Sequence, residues 1–428
     1  MTEGIVIVGS SLAGLRSAEQ LRSQGWEGAI TLVGEEPYLP YNRPPLSKQA
    51  MVDARTLSVD ALHETVALGL KPRLGEIDWR LGRRAVSSDM ANRRITLDDG
   101  QALDYDGLVI ATGLRSRSLP VSGGESQRYR IRHLDDTWRL AQVLTPGCRV
   151  TIAGAGFIGC ELAATATRLG CKVNVIDAAP APLVNVMGST FADSLLQYHQ
   201  RHGVSFHLDT RIAEIGEDDQ GTLQRVSLSN GVSIDTDILV ESIGSQPNTE
   251  WLDGNGIDIT DGVQCQSDMS LPAHGNVIAV GDIARFSNPL FDGVHRRIEH
   301  WNIAVETAKK GAVTLLAHLG ETPRTRPEDT KPIVPSFWSD QFDIKIQGIG
   351  LPSIADSAAP LDGDLHQGFG DGSPFAMGYY RAGQLTGIIS IHGEKKQPDY
   401  RNRLLDALQT ADTAIDVATA PTNTTGMA

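Results

Sequence analysis

The chain has 428 residues, enough for about three domains. With 40% hydrophobic and 21% charged residues and 44 glycines it fits a turn-rich α/β protein, and no apolar run approaches the roughly 18 residues of a membrane span. A formal net charge of −14 argues against nucleic acid as a partner, though not against a local basic patch for an acidic protein.

The first apolar run, "IVIVGSSLAG", enters a strand within a few residues of the N-terminus, so no signal peptide is expected. Strand 4–8, helix 13–24 and strand 29–33 form a βαβ unit that ends in "GEE", with Glu35 21 residues beyond Gly14. A ribose-binding carboxylate belongs at such a strand tip. The glycine fingerprint is complete except at its middle position, where Ser11 stands. Serine is the smallest polar replacement, and its hydroxyl can reach a phosphate oxygen, so the substitution reads as tolerated.

The pattern recurs at 149–180, with Gly154, Gly156 and Gly159 all present and Asp177 ending the next strand. One such match is weak; two in one chain are strong evidence for two dinucleotide-binding units. Buried strands ending in glycine at 104–113 and 236–248 mark crossings between the first unit and an inserted second one. "GNVIAVGDIARF" returns as a final strand with Asp282 at its C-terminal edge, and the helix "HWNIAVETAKKGAVTLLAHL" follows. A proline-rich charged linker spans 320–335, a hairpin is expected near 375–393, and a closing helix begins near Pro398. The last segment has too little bulk for a core and is expected to be disordered.

The expected fold class is therefore α/β, with two Rossmann-like domains of glutathione-reductase type and an α+β C-terminal domain. The expected division is 1–114 with 246–325 for FAD, 115–245 for NADH, 326–410 for a C-terminal interface domain, and a tail at 411–428. Two dinucleotide units suggest one retained and one exchanging cofactor. A flavin is the natural partner of a nicotinamide, because it accepts a hydride and returns electrons singly.

The motifs "GSSLAG", "YNRPPLSK", "ATGLRSRSLP", "RHLDD", "GAGFIGCELAA", "AVGDIARF", "RIEHWNIAVE" and "FWSDQFDIKIQ" stand in fixed order. Over roughly residues 4 to 410 the chain resembles the FAD-dependent, NADH-using ferredoxin reductases of cytochrome P450 and Rieske-type oxygenase systems. The resemblance implies that Gly9, Ala13 and Gly14 hold the FAD pyrophosphate and Glu35 the adenosine ribose. It puts Ala85 at the adenine, Arg43, Arg115 and Arg132 near the cofactor, Asp282 on the ribityl chain and Trp301 against the flavin ring. Lys48 and Glu161 are implied to pair where flavin and nicotinamide meet, and Gly154, Gly156, Gly159 and Asp177 to hold NADH. Asp177, with no arginine in the following "AAPAP", favours NADH over NADPH.

Related disulfide reductases carry a redox cysteine pair after the first unit. This chain has no cysteine before Cys148, which excludes that relay. Its four cysteines lack a C-x-x-C, so neither a disulfide framework nor a metal site is expected, and a reducing cytoplasm fits. Cys160 and Cys171 read as buried small hydrophobes. The expected acceptor is an acidic [2Fe–2S] ferredoxin, docking near Arg285, Arg296, Arg297, Lys309 and Lys310, with Lys345, Lys395 and Lys396 from the C-terminal domain. Asp292, Glu299 and Glu306 oppose them. Two other classes stay open: a flavoprotein with nitrite reductase, quinone or oxygen as acceptor, and a redox-sensing flavoprotein of the apoptosis-inducing type.

Overall fold

Ile5–Val8 is apolar throughout and buried on both faces, as a central parallel strand requires. It pairs in parallel with Ile30–Gly34 on one side and Gly107–Ile110 on the other. The computed structural model describes residues 4–408 in full and the backbone of 409–419. The tail expected to be disordered, 411–428, therefore lies outside the fully described residues.

The first sheet has six strands, and it joins strands before residue 111 to His274–Ala279 and Ser270–Leu271. The helix between its first two strands, Leu12–Gln24, buries Leu15, Ala18 and Leu21 at helical spacing. It ends at Gly25, whose φ of 110° lets its N–H turn back to Arg22 and Leu21. Each buried leucine contributes about 2–3 kcal/mol. The Trp301–His318 helix packs across this one.

A second, all-parallel sheet of five strands is built from Arg128–Tyr129, Arg149–Ala153, Lys172–Ile176, Ser205–His207 and Ile238–Glu241. Entry to and exit from it run side by side, as Leu114–Ser116 pairs antiparallel with Ser245–Pro247. Five antiparallel strands between Ser336 and Ile391 form the third layer, with the expected hairpin at Phe375–Arg381 and Gln384–Ile391. This third sheet packs Phe337, Ile346, Phe375 and Ile389 against Met187, Phe191 and Leu195 of the Val184–Arg201 helix. The fold is the expected mixed α/β one, with two nucleotide-type sheets and a C-terminal α+β unit.

Candidate active site

Both glycine turns depend on backbone contacts that no side chain could enter. A Cβ on Gly9 would lie 2.1 Å from the Ala111 carbonyl oxygen, and one on Gly14 would lie 1.9 Å from that of Gly9. The second turn repeats this, with Gly154 against Ser242 at 2.1 Å and Gly159 against Gly154 at 2.0 Å. The middle positions differ in kind. Gly156 faces open space, and Ser11 has an ordinary φ of −92°, so glycine there serves room for a ligand and not backbone shape.

The first turn opens on a cavity of about 920 Å³. Three helices begin on its wall: Leu12–Gln24, Phe157–Arg168 and Trp301–His318. None of the three has a side-chain cap or an acid in its first turn, so their free N–H groups and positive ends suit an anion. Arg132 Nε is buried there without a partner, and burial lowers the Arg132 pKa. Its guanidinium lies 3.6 Å from Asp282, whose carboxyl burial pushes up against the pull of Arg132 and Arg43. These features fit a bound dinucleotide.

Arg43 donates to Ser11 Oγ at 3.2 Å, to Glu36 at 2.5 Å and to the Arg132 carbonyl. Burial alone would raise the Glu36 carboxyl, but Arg43, His133 and hydrogen bonds from Tyr41 and Arg43 hold it below the usual range. Glu36 is thus the acid that fixes Arg43, a role the sequence did not single out. Glu35, the expected ribose acid, is largely exposed at the cavity rim, 3.9 Å from Arg84. Ala85 and Arg115 also line the cavity, and Arg115 is anchored by Asn248 at 2.9 Å and by Glu250. Trp301 donates to Asn42 at 3.0 Å and meets Trp338 edge-on at 5.9 Å.

Lys48 and Glu161 come together, 2.8 Å apart, although 113 positions separate them in the chain. Both side chains are largely buried at the cavity wall. Ser47 and Ser339 donate to the same carboxylate at 2.5 and 2.7 Å. Asp177 directly follows the Lys172–Ile176 strand, and its carboxylate accepts from the backbone N–H groups of Ala155 and Ala179 at 2.6 and 2.7 Å.

The pyridine nucleotide-disulphide oxidoreductase model matches residues 3–308, and a reductase C-terminal model matches 336–420. The chain belongs to the pyridine nucleotide-disulphide oxidoreductase family. Among its relatives is rhodocoxin reductase of Rhodococcus erythropolis, 32% identical, with 97% of this chain and 94% of that protein covered. The ferredoxin reductase component of chlorobenzene dioxygenase from Cupriavidus sp. (strain PS12) is 32% identical, with 91% and 90% covered. The solved covalent putidaredoxin reductase–putidaredoxin complex superposes with a TM-score of 0.83 at 29% identity, covering 95% of this chain and 93% of that one.

Within that family this oxidoreductase stands apart from a dithiol enzyme, because no cysteine lines the cavity. Cys160 is buried, which raises its thiol pKa, and Cys171 touches Cys148 with sulfurs 3.3 Å apart. Among the described residues no cluster could hold a metal ion, and no helix is long and apolar enough to cross a membrane. The cations expected to form a basic patch are mostly compensated in pairs. Arg285 meets Asp258, Arg296 meets Asp292 at 2.6 Å, Arg297 meets Asp261 and Glu299 at 2.8 Å each, and Lys309 meets Glu306 at 2.7 Å. Lys310 is half-buried, and burial lowers its pKa.

Proposed function

We propose that this chain takes electrons from NADH, by way of bound FAD, and delivers them to a [2Fe–2S] ferredoxin that serves a cytochrome P450 or Rieske-type oxygenase. The observation that carries the reading is the cavity wall itself, where the Lys48 ammonium of the first unit meets the Glu161 carboxylate of the second at 2.8 Å. FAD, when bound, accepts a hydride as an electron pair and releases electrons one at a time. Gly9, Ala13 and Gly14 admit its pyrophosphate to the first helix end, with Arg43 and Arg132 supplying positive charge. Glu35 takes the adenosine ribose, Ala85 flanks the adenine, Arg115 stands beside the cofactor, and Asp282 takes the ribityl chain. Trp301 brings the positive end of its helix to the flavin ring. Lys48 keeps a cation where negative charge develops on reduction, and Glu161 holds it there. Gly154, Gly156, Gly159 and Asp177 receive NADH, on the division 1–114 with 246–325 for FAD and 115–245 for NADH.

Relatives named as ferredoxin reductase components of dioxygenases support this acceptor. The ferredoxin docks on the face that carries Arg285, Arg296, Arg297, Lys309 and Lys310. Because these cations are mostly paired, docking rests on modest net attraction. NADH-dependent reduction of an acidic [2Fe–2S] ferredoxin should be rapid and should weaken with salt, while ferricyanide reduction changes much less. Rapid turnover confined to quinone or oxygen across a ferredoxin panel would overturn the acceptor and leave the cofactor reading standing.

A further inference from the structure

A run of buried hydrogen bonds reaches Glu161 from the Val184–Arg201 helix by way of the Ser336–Gln341 strand. His199 Nε2 lies 2.7 Å from Gln341 Oε1, Gln341 Nε2 donates to Ser339 Oγ at 3.0 Å, and Ser339 donates to Glu161 Oε1 at 2.7 Å. His199, Gln341 and Ser339 are each 0% exposed. Ser47 and Lys48 then occupy the other carboxylate oxygen, Oε2.

The direction of donation follows from what each group carries. The Gln341 oxygen faces His199, so the imidazole Nε2 bears the proton and donates. The Gln341 amide then donates onward, which frees the Ser339 hydroxyl proton for the carboxylate. Reversing the amide would turn the Ser339 proton away from Glu161 and leave a lone pair facing a carboxylate oxygen. Burying three polar side chains is costly unless they are paired, and here the pairing runs one way, with the other ring nitrogen, His199 Nδ1, left without a partner.

Local structure puts these residues in line. Strand alternation places Phe337, Ser339 and Gln341 on one face of Ser336–Gln341, toward the second unit. The turn that follows holds Phe342 at φ 51°, a conformation bulky residues rarely adopt. Its ring stacks on His202 at 4.2 Å and lies under Arg168, while Tyr198 bonds Asp343. The hairpin tip is thus clamped to the Val184–Arg201 helix and to the end of the second glycine-turn helix.

We propose that Ser339 and Gln341 are positioning residues for reduction of the protein by NADH: they hold the Glu161 carboxylate so that Lys48 keeps its place on the cavity wall. In this way the C-terminal sheet, which already lines the cavity through Phe337 and Trp338, also acts on the ion pair that the two nucleotide units build between them. The inference rests on the role given above to the Lys48–Glu161 pair.

The test is anaerobic stopped-flow reduction of the holoprotein by NADH, with flavin content and flavin midpoint potential measured on the same samples. Ser339→Ala should slow reduction about fivefold, less than Lys48→Met because Ser47 and Lys48 still hold the carboxylate, with the NADH dissociation constant changed less than about twofold. Ser339→Thr, which keeps the hydroxyl, should recover most of the rate. Ser339→Ala should shift the potential in the same direction as Lys48→Met and by less, and in a Lys48→Met background it should add no further slowing. Gln341→Met, which keeps the volume and removes the amide, should fall between wild type and Ser339→Ala. An unchanged rate in both Ser339→Ala and Gln341→Met, or slowing that adds fully to that of Lys48→Met, would overturn the positioning role. Wild-type protein that NADH fails to reduce would overturn the functional reading and this role with it.

Discussion

In the first nucleotide unit, Gly9 presses on the Ala111 carbonyl; in the second, Gly154 presses on that of Ser242. The strands that follow are in equivalent register, since Val8 opposes Val33 and Ala153 opposes Ile176. Gly34 therefore stands where Asp177 stands, and Glu35 is one residue further along. A Cβ on Gly34 would come within 1.9 Å of Ser10 Oγ, so no acid fits at that position in the first unit. In the second unit the small Ala155 leaves the place to Asp177, which binds the turn's own backbone. Arg43 closes on Ser11 in the first turn, while residues 178–182 beside the second carry no charge. A turn reinforced by a partly buried arginine suits a retained cofactor, and an unreinforced one suits a nucleotide that exchanges.

The largest effects should come from the glycines. Gly9→Ala should cost about 3 kcal/mol or more and yield protein without bound flavin, whereas Gly154→Ala should keep the flavin and lose about a hundredfold in kcat/KM for NADH. Visible absorbance of the purified variants separates them, and the opposite pattern would exchange the two assignments. Next comes nucleotide choice. With Asp177 and no nearby arginine, NADH should exceed NADPH about a hundredfold in kcat/KM, or ~2.7 kcal/mol. Comparable values would show that the second unit has been misread.

A third effect is pH-dependent and shared by both units, since burial also lowers the His300 imidazole of the first unit from 6.5 to about 4. Burial, followed by the nearby His202, lowers the His199 imidazole of the second unit from 6.5 to about 4, with Gln341 opposing. The folded protein then binds this proton more weakly than the unfolded chain. The stability this group contributes is full above about pH 6.5 and is lost as pH falls toward about 4, by on the order of 3 kcal/mol. Denaturant melts of wild type and His199→Gln should show the slope flattened in the variant; parallel slopes would remove His199 from the account. Lys48→Met should slow flavin reduction about tenfold, ~1.4 kcal/mol, with flavin content intact. An unchanged rate would remove Lys48 from the site. Smallest is Ser11→Gly, which restores the full fingerprint and should change FAD affinity less than about threefold, checked by flavin release on dilution.

The two turns, their strands and the order of units were legible because short-range signals carry them: apolar runs, glycines at fixed spacing, an acid at a strand tip. Side chains that act across the chain were not. Glu36 shares the dipeptide with Glu35, and only folding shows that it turns inward to Arg43 and Tyr41. Ser339 meets Glu161 across 178 positions, so its motif could be noticed but no role read from it. The pairing within the basic surface was hidden for the same reason, since Arg285 finds Asp258 and Arg297 finds Asp261 only once loops are brought together.

The central claim is that one retained FAD, with no dithiol beside it, receives electrons from NADH. An anaerobic titration of the purified protein with NADH, followed through the visible flavin absorbance, tests this most directly. The account predicts full bleaching at one NADH per bound FAD and recovery of the oxidised spectrum when oxidised [2Fe–2S] ferredoxin is added. Absence of bound flavin, a need for two NADH per FAD, or no recovery with ferredoxin would contradict it.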